Sequence, residues 1–300
     1  MMRILLTGKN GQVGFELQRA LAPLGEVCAI DYAECDLADP SALCELVRSV
    51  KPDLIVNSAA YTAVDKAESE SGLAHAINAV APGVLGEEAA KLGAWVVHYS
   101  TDYVFDGVKP SAYTEDDCTN PLNVYGRTKR DGEIALQASG ARYLLFRTSW
   151  VVGAHGSNFA KNILRLALER KSLNVVADQY GAPTSAALLA DVTALLVRQK
   201  QREGGDTFPF GSYHLAAGGE TTWYDYARFV VSEATVAGKS LKLSPDAIRA
   251  ISSSDYPTAA KRPANSRLDS TKLRRTFQLA LPDWQSGVRH ILQQILADGK

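Results

Sequence analysis

Several features that mark particular classes of protein are scarce in this 300-residue sequence. Its four cysteines form no Cys-x-x-Cys pair and no metal-binding spacing, which favours a reduced, cytoplasmic protein without a structural metal. No hydrophobic run approaches the roughly 18 residues of a membrane span, and the first apolar run is too short for a signal peptide. The net charge is -1, with no long run of one sign, which argues against nucleic acid or an anionic membrane as a partner.

Hydrophobic residues make up 46% of the chain, which is enough to bury a sizeable core. Short apolar runs alternate with amphipathic stretches over about the first 150 residues, and beyond them the rhythm changes. The alternation predicts an α/β fold with a Rossmann-like, doubly wound parallel sheet and a smaller, mixed substrate-binding domain. We expect residues 1–150 to bind a dinucleotide, with some later segments packing back on them, and residues 151–300 to bind mainly the substrate.

A glycine-rich loop directly follows the first predicted strand, at residues 3–7. Gly8, Gly11 and Gly14 are spaced three residues apart and precede an amphipathic helix predicted over residues 15–24, with Phe15 on its inner face. Glycines at this spacing let the backbone approach a pyrophosphate at a helix N-terminus, where amide groups and the helix dipole attract anions. The loop therefore predicts dinucleotide binding, and the alternative is a tight turn that simply requires glycine.

The second predicted strand ends at Asp31, near the position where an acidic residue binds the ribose hydroxyl of NAD. Lys9, inside the glycine loop, offers a cation for the 2′-phosphate of NADP instead. Because these two signals conflict, we expect a cofactor site that is not strict. The following pair, Asp36 and Leu37, is typical of a contact with the adenine edge, and the alternative for Asp36 is a loop or capping role.

The stretch from Trp95 to Lys129 carries the predicted chemistry. A buried strand leads to Thr101, and a later helix holds Tyr125 and Lys129, which are four residues apart and so share one face. A free tyrosine has a pKa of about 10. An ammonium at about 4–5 Å supplies about 4 kcal/mol at an effective dielectric constant of about 20, enough to bring that pKa close to neutrality. The pair therefore predicts a general acid, although the spacing also arises by chance.

Three further residues have both a functional and a simpler interpretation. Asn78 lies in the middle of a predicted helix, where a polar residue is normally exposed; it can instead brace the backbone near Lys129. Lys261 and Arg262 lie in a proline-rich loop over residues 256–266, which is either solvated or a clamp for the phosphates of a charged substrate.

With the glycine loop, Thr101, Tyr125 and Lys129 in place, the chain resembles the extended short-chain dehydrogenase/reductase family. Within it, longer segments resemble the dTDP-4-dehydrorhamnose reductases over essentially the whole chain. Those segments cover residues 98–105, 121–126, 146–150, 178–184 and 262–266.

The resemblance implies reduction of the C4 ketone of dTDP-4-dehydro-L-rhamnose to dTDP-L-rhamnose, for cell-surface polysaccharide and lipopolysaccharide biosynthesis. It implies NADPH as the hydride donor, with NADH also accepted. Tyr125 would protonate the ketone oxygen, Lys129 would lower the tyrosine pKa and hold the nicotinamide ribose, and Thr101 would bind the reacting oxygen. Thr101, Asp102, Tyr125 and Trp150 would contact the substrate. The expected cofactor residues are Gly8, Lys9, Gly11, Gln12, Val13, Asp31, Asp36, Leu37, Ala60, Tyr61, Thr62, Tyr99, Tyr125 and Lys129.

One departure from the family concerns metal. Some relatives are thought to pair through a metal such as Mg²⁺, held by surface carboxylates. Glu16 is available here, whereas Ala187 and Gln294 stand where acids would help. We therefore expect no bound metal, and a monomer or a weak homodimer.

Three related functions compete with this interpretation. A nucleotide-sugar 4,6-dehydratase needs an acidic pair after the threonine, but here Asp102 is followed by Tyr103. A 4-epimerase keeps the same threonine, tyrosine and lysine, and differs by retaining its cofactor tightly. A non-catalytic dinucleotide-binding subunit, as in animal methionine adenosyltransferase, has the same fold, and the intact catalytic set argues against it.

Overall fold

A computed structural model describes residues 1–203 and 207–297; the last three residues of the predicted second domain, 298–300, lie outside the described residues. The strands in the described part are β1 Arg3–Thr7, β2 Glu26–Ile30, β3 Leu54–Asn57, β4 Trp95–Thr101, β5 Arg142–Thr148, β6 Val151–Val152, β7 Leu173–Val176, β8 Tyr180–Gly181, β9 Thr184–Ser185, β10 Gly211–His214, β11 Thr221–Thr222 and β12 Ile248–Ile251. The α-helices are α1 Gln12–Leu21, α2 Pro40–Val50, α3 Val64–Ala67, α4 Ser71–His75, α5 Ala81–Leu92, α6 Val124–Ala138, α7 Phe159–Glu169, α8 Ala186–Glu203, α9 Trp223–Val236, α10 Thr271–Phe277 and α11 Trp284–Ala297.

Six of the described strands form a parallel sheet in the order β10-β5-β4-β3-β1-β2. The chain runs from β1 to β2 on one side and then returns to β3 on the other side of β1. Ligands of open α/β sheets bind at the carboxyl end of such a reversal. The glycine loop follows β1 at this edge, and the segment that contains Ala60 follows β3 beside it. The predicted fold class is confirmed.

Helices cover both faces of the sheet because successive strand residues point to opposite sides. On one face, Ile4 and Leu6 of β1 pack in a core with Leu17 of α1 and Leu189 of α8. On the other face, Leu5 packs in a core with residues of α2, α5 and α6. Alternation along one strand thus builds the doubly wound arrangement.

Some of the residues after 150 form a separate core, and others pack into the core on one face of the sheet. Residues of α7, α9 and α11 share a separate apolar cluster centred on Tyr226, Val230 and Val288. In contrast, α8, β10 and α10 pack with the sheet face that contains Ile4 and Leu6. Across residues 1–203 and 207–297, no helix combines the length and the apolar character needed to cross a bilayer.

Helix α1 begins earlier than predicted, and this earlier start places the last glycine of the loop inside the helix. It runs from Gln12 to Leu21, whereas the pattern predicted residues 15–24. Gly14 therefore lies in the first turn and is buried, while Phe15, predicted to face inward, is 49% exposed and stacks on His155. The earlier start is a consequence of Gly11, whose extended conformation lets it serve as the N-cap.

Candidate active site

A cleft of about 670 Å³ opens at the carboxyl edge of the sheet. It brings together most of the residues that the sequence singled out. The predicted residues that line it are Gly8, Gly11, Gln12, Val13, Asp31, Ala60, Thr62, Tyr99, Thr101, Asp102, Tyr125, Lys129 and Trp150. Four predicted cofactor residues, Lys9, Asp36, Leu37 and Tyr61, are not among its lining residues.

The glycine loop at one end of the cleft tolerates no side chains at its first and last glycines. Gly8 has a φ of 75°, and a Cβ there would lie 2.9 Å from the Ala59 backbone. A Cβ on Gly14 would lie 1.9 Å from the carbonyl oxygen of Gly8. Close packing of this kind leaves the N-terminus of α1 open toward the cleft, where its free amide groups can bind an anion.

Thr101 and Tyr125 meet at the centre of the cleft. Thr101 ends β4, and its hydroxyl donates to Asp102 Oδ1 at 3.1 Å and accepts from the Tyr103 amide at 3.2 Å. Tyr125 lies in the first turn of α6, whose N-terminus is capped by the Asn123 side chain. The Tyr103 ring packs edge-on against the Tyr125 ring, with centroids 5.5 Å apart. The phenol is thereby directed toward the threonine hydroxyl.

Lys129 is buried beneath the cleft and is held by two acceptors. Its Nζ donates to the carbonyl oxygen of Tyr99 at 2.7 Å and lies 3.3 Å from His98 Nε2. His98 in turn contacts the Asn57 side chain at 3.1 Å. Burial, together with the positive charge of Lys129, keeps the pKa of His98 well below its usual value, so the ring is neutral and can accept a hydrogen bond.

The proton affinities of the site differ from the sequence-based expectation. Burial raises the pKa of Tyr125 above its usual value, and a hydrogen bond with Thr101 opposes this rise. Burial lowers the pKa of Lys129 to about 8, while the nearby Glu133 opposes that change. The prediction that Lys129 brings the phenol close to neutrality is therefore wrong for the chain by itself. A phenol with a raised pKa stays protonated at neutral pH, which is the form that a proton donor requires.

Asp102 is an acidic residue close enough to Tyr125 for its charge to raise the pKa of the phenol. Its side chain is 3% exposed, and burial raises its pKa to about 6. It lines the cleft beside Thr101. The residue after it, Tyr103, is aromatic, so the second carboxylate of a dehydratase is missing at this position.

Asn78 braces the wall of the cleft, as its position suggested. It lies in a π-helical turn, Ala76–Val80, and is 1% exposed. Its side chain accepts from the Tyr61 amide at 2.8 Å and donates to the Tyr61 carbonyl at 3.0 Å. It also donates to Thr128, the neighbour of Lys129, at 3.2 Å. One amide therefore fixes the segment after β3 to α6, the helix that carries Tyr125 and Lys129.

The end of β2 places one acidic residue, Asp31, in the lining of the cleft. Asp31 accepts from the amides of Asn10 and Tyr32, while Lys9 is paired with Glu34. Asp36 accepts from the Ala38 amide at 2.9 Å, and Leu37 is buried in the core between the sheet and α2. These last two residues therefore have structural contacts of their own.

Trp150 adopts a strained conformation at the far side of the cleft. Its φ of 48° lies in the left-handed region, which costs a non-glycine residue about 1–2 kcal/mol. The indole stacks on Trp223 with centroids 3.6 Å apart, and Gly181 packs so closely that a Cβ there would lie 2.6 Å from the ring. The sequence did not single out Trp223, because an aromatic residue at the start of a helix is an ordinary core residue.

A second cavity of about 720 Å³ adjoins the cleft. Tyr103 and Trp223 line both spaces. Lys261 and Arg262 line the second one, together with Tyr256 and apolar residues of α7 such as Ile163. The proline-rich loop thus contributes two cations to the wall of a concave space, as a phosphate clamp would require.

The surface carboxylate considered for metal binding already has a cation beside it. Arg19 contacts Glu16 at 3.4 Å and Asp191 at 3.0 Å. Asp191, which the family resemblance did not single out, is thus a second acid on this surface. Gln294 contacts His290 at 3.0 Å. Within residues 1–203 and 207–297, no three acidic, histidine or cysteine side chains are grouped as a metal site.

The parallel sheet, the glycine loop and the Thr101–Tyr125–Lys129 cleft define a Rossmann-type reductase of the extended short-chain dehydrogenase/reductase class. A family model described as the RmlD substrate binding domain matches residues 2–297. The dTDP-4-dehydrorhamnose reductase of Escherichia coli K12 is 52% identical over 98% of both chains. The chain therefore belongs to the dTDP-4-dehydrorhamnose reductase family.

Solved structures agree with this membership. The crystal structure of dTDP-4-dehydrorhamnose reductase from Bacillus anthracis, in complex with NADP, has a TM-score of 0.89 at 33% identity. The similarity covers 98% of this chain and 99% of that one. A UDP-glucose 4-epimerase from Thermus thermophilus, in complex with NAD, has a TM-score of 0.78 at 20% identity, covers 98% of this chain and 99% of that one, and shares the fold.

Proposed function

We propose that this protein reduces the C4 ketone of dTDP-4-dehydro-L-rhamnose to dTDP-L-rhamnose, in dTDP-rhamnose and cell-surface polysaccharide biosynthesis. The observation that carries the proposal is the convergence of Thr101, Tyr125 and Lys129 in one cleft beside the glycine loop, in a chain 52% identical to a dTDP-4-dehydrorhamnose reductase. A bound NADPH, with NADH also accepted, supplies the hydride. The residues of this chain position the substrate and the cofactor, and they supply the proton for the ketone oxygen.

Tyr125 is the proposed proton donor. Its hydroxyl is protonated at neutral pH, as a proton donor requires, and it can pass the proton on when negative charge develops on the ketone oxygen. Thr101 places a second hydroxyl beside the same oxygen. Lys129, fixed by the Tyr99 carbonyl, provides a positive charge below the phenol and a donor for the nicotinamide ribose.

The substrate is proposed to lie across both spaces. The sugar occupies the cleft near Asp102 and Trp150, and the nucleotide extends past Tyr103 and Trp223 into the second cavity. Lys261 and Arg262 then meet the pyrophosphate, because two cations in a partly enclosed space favour phosphate oxygens. Residues 1–150 bind mainly the dinucleotide, and residues 151–300 bind mainly the nucleotide sugar.

The cofactor contacts follow the cleft. The backbone of Gly8, Gly11 and Val13 approaches the pyrophosphate, and Asp31 binds the adenosine ribose. We further propose that the protein works in the cytoplasm as a monomer or a weak homodimer, without a bound metal.

The direct test is a spectrophotometric assay of NADPH and NADH oxidation with a panel of dTDP- and UDP-linked 4-keto sugars. We expect turnover with dTDP-4-dehydro-L-rhamnose and weaker turnover with the UDP-linked sugars. A 4-epimerase would instead purify with a full complement of NAD and consume no external cofactor. A regulatory subunit would bind cofactor and show no turnover with any sugar.

Replacement of Tyr125 by phenylalanine tests the assigned chemistry. Loss of the proton donor should lower kcat by about 10²- to 10⁴-fold, because general acid catalysis typically contributes that much. Cofactor affinity, measured by nicotinamide fluorescence, should stay within about twofold of the wild type. Near-normal turnover of the variant would remove Tyr125 from the mechanism.

A further inference from the structure

We propose that Glu34 is a specificity residue that weakens binding of NADPH relative to NADH. The inference rests on the proposed function, because it concerns the ribose end of the same dinucleotide site. Sequence reasoning left the preference open, since Asp31 favours NAD and Lys9 offers a cation to the extra phosphate of NADP. The structure adds a third residue, Glu34, which contacts both Asp31 and Lys9.

Glu34 connects the two conflicting residues directly. One of its carboxylate oxygens, Oε1, accepts from Nζ of Lys9. The other, Oε2, accepts from the backbone amide of Asp31 at 2.8 Å. Glu34 lies in the turn after β2, where its own amide donates to the Asp31 carbonyl at 3.0 Å. The carboxylate is thus held at the strand end by the backbone as well as by the lysine.

Asp31 is fixed at the same place. Its Oδ2 accepts from the amide of Asn10 in the glycine loop at 2.9 Å, and its Oδ1 accepts from the Tyr32 amide at 2.8 Å. The amides of Gly8 and Lys9 donate to the carbonyl of Ile30, the last residue of β2. The glycine loop and the end of β2 therefore form one rigid unit around the two carboxylates.

The charges of this unit favour a ribose without a phosphate. A phosphate monoester carries about -1.5 to -2 charge at pH 7. It would meet two carboxylates, and the neighbouring cation, Lys9, is already paired with one of them. A free 2′-hydroxyl is neutral and donates a hydrogen bond to a carboxylate instead.

The Glu34 carboxylate is ionised under these conditions. The hydrogen bond from Lys9 and that from the Asp31 amide lower its pKa below the usual value. Lys9 is 26% exposed and Glu34 44% exposed at the side chain, so an incoming phosphate can reach both. To bind Lys9, however, the phosphate must first displace the carboxylate.

Replacement of Glu34 by glutamine isolates the charge. Glutamine keeps the size of the side chain and an oxygen for the Asp31 amide, but it releases Lys9. Because a freed ammonium can then form a charge-assisted bond with the 2′-phosphate, we expect the Kd for NADPH to fall about tenfold. This Kd is measured by nicotinamide fluorescence without sugar substrate. The Kd for NADH should change by less than about twofold.

Glu26→Gln is the matched control. Glu26 is an exposed residue at the opposite end of β2, so its replacement makes the same change in net charge far from the ribose. This variant should keep the wild-type ratio of the two Kd values. If it shifts the ratio as far as Glu34→Gln does, a general charge effect explains the data and the inference fails.

The double variant Lys9→Met with Glu34→Gln tests the role of the lysine. If Glu34 acts by pairing with Lys9 and so keeping it from the 2′-phosphate, the gain in NADPH affinity should disappear in the double variant. A gain that persists would contradict that part of the inference. An unchanged ratio of Kd values in Glu34→Gln would overturn the inference as a whole, whereas wild-type protein that binds neither cofactor would overturn the proposed function itself.

Discussion

Lys129 shows how burial sets the chemistry of a single residue. Its ammonium lies between the Tyr99 carbonyl and the neutral His98 ring, without direct access to bulk water. Because burial penalises the charged form, its pKa falls to about 8 from a usual value of 10.5. The positive charge is therefore present at neutral pH and is lost at a lower pH than for an exposed lysine.

The lowered pKa of Lys129 predicts how kcat/KM changes on the alkaline side of neutrality. As pH rises through about 8, Lys129 loses its proton, and kcat/KM for ketone reduction should fall with it. Lys129→Arg, which stays charged throughout, should be slower overall but should lack this decline. A wild-type profile that stays level from about pH 7 to pH 9.5 would contradict the assignment.

Local rules predicted which residues share the cleft, but they did not predict the pKa values of those residues. The end of a strand and a spacing of four on a helix are properties of short segments, so Thr101, Tyr125 and Lys129 could be placed on one cleft. The direction of the tyrosine pKa depends on how deeply α6 is packed. The partners of Lys129 come from β4, about thirty residues earlier in the chain, and no local pattern pairs them.

At the scale of elements, the π-helical turn between α4 and α5 positions the site. The extra residue per turn points Asn78 inward, where it binds Tyr61 and Thr128. Such π-turns are rare and occur frequently at functional sites. Gly132 of α6 allows this contact, since a Cβ there would lie 2.0 Å from the Asn78 carbonyl oxygen.

Asn78→Ala should therefore destabilise the fold and the cofactor site together. It leaves the partly buried Tyr61 amide and carbonyl without their partner; an unsatisfied buried group costs about 1–3 kcal/mol, so we expect a loss near the lower end of that range. Urea denaturation should show this loss, and the Kd for NADPH should rise. Gln137→Ala, on the exposed face of α6, should change stability by less than about 0.5 kcal/mol. Equal stability of the two variants would contradict the bracing role.

Element boundaries were less predictable than element types. The apolar pattern predicted a helix after the glycine loop, but the structure begins it three residues earlier, because Gly11 caps it and Gly14 packs on Gly8. Those contacts depend on backbone geometry that hydrophobic spacing does not record. For the same reason Phe15 was predicted to lie inside, although it stacks on His155 at the surface.

At the scale of the whole molecule, the proline-rich loop over residues 256–266 is hydrogen-bonded to α3 and to the N-terminus of α6, both in the first half of the chain. Asp65, in the first turn of α3, accepts from Arg262 at 2.7 Å and from the Ala260 amide at 3.0 Å. Asn123, the cap of α6, donates to the Lys261 carbonyl at 2.8 Å. The helix that carries Tyr125 and the proposed phosphate clamp are thus joined by direct hydrogen bonds.

Arg262→Gln should weaken binding of the nucleotide sugar without weakening binding of NADPH. Loss of a charged hydrogen bond typically costs about 1.5–3 kcal/mol, so KM for the sugar should rise roughly 10- to 100-fold. The Kd for NADPH, whose proposed site is the cleft and not the second cavity, should be unchanged. Arg249→Gln, at an exposed position of β12, is the matched control and should leave both constants unaltered. An unchanged KM in the Arg262 variant would exclude a phosphate role.

The sheet as a whole could be predicted only in part. Five strands follow from apolar runs in the first 150 residues, whereas β10 joins the sheet beside β5 from residues 211–214. Long-range pairing of this kind depends on which edge remains uncovered after the first half has folded. Composition and periodicity describe segments, and they do not identify distant partners.

The stacked indoles of Trp150 and Trp223 also give the molecule a built-in optical probe. Of its four tryptophans, Trp223 lines both spaces and Trp150 lines the cleft, while Trp95 and Trp284 are buried in the cores. A nucleotide sugar that slides past this stack should alter the ultraviolet emission of the protein without any added label. Binding order and rates could then be followed by stopped-flow mixing, before any ketone is consumed.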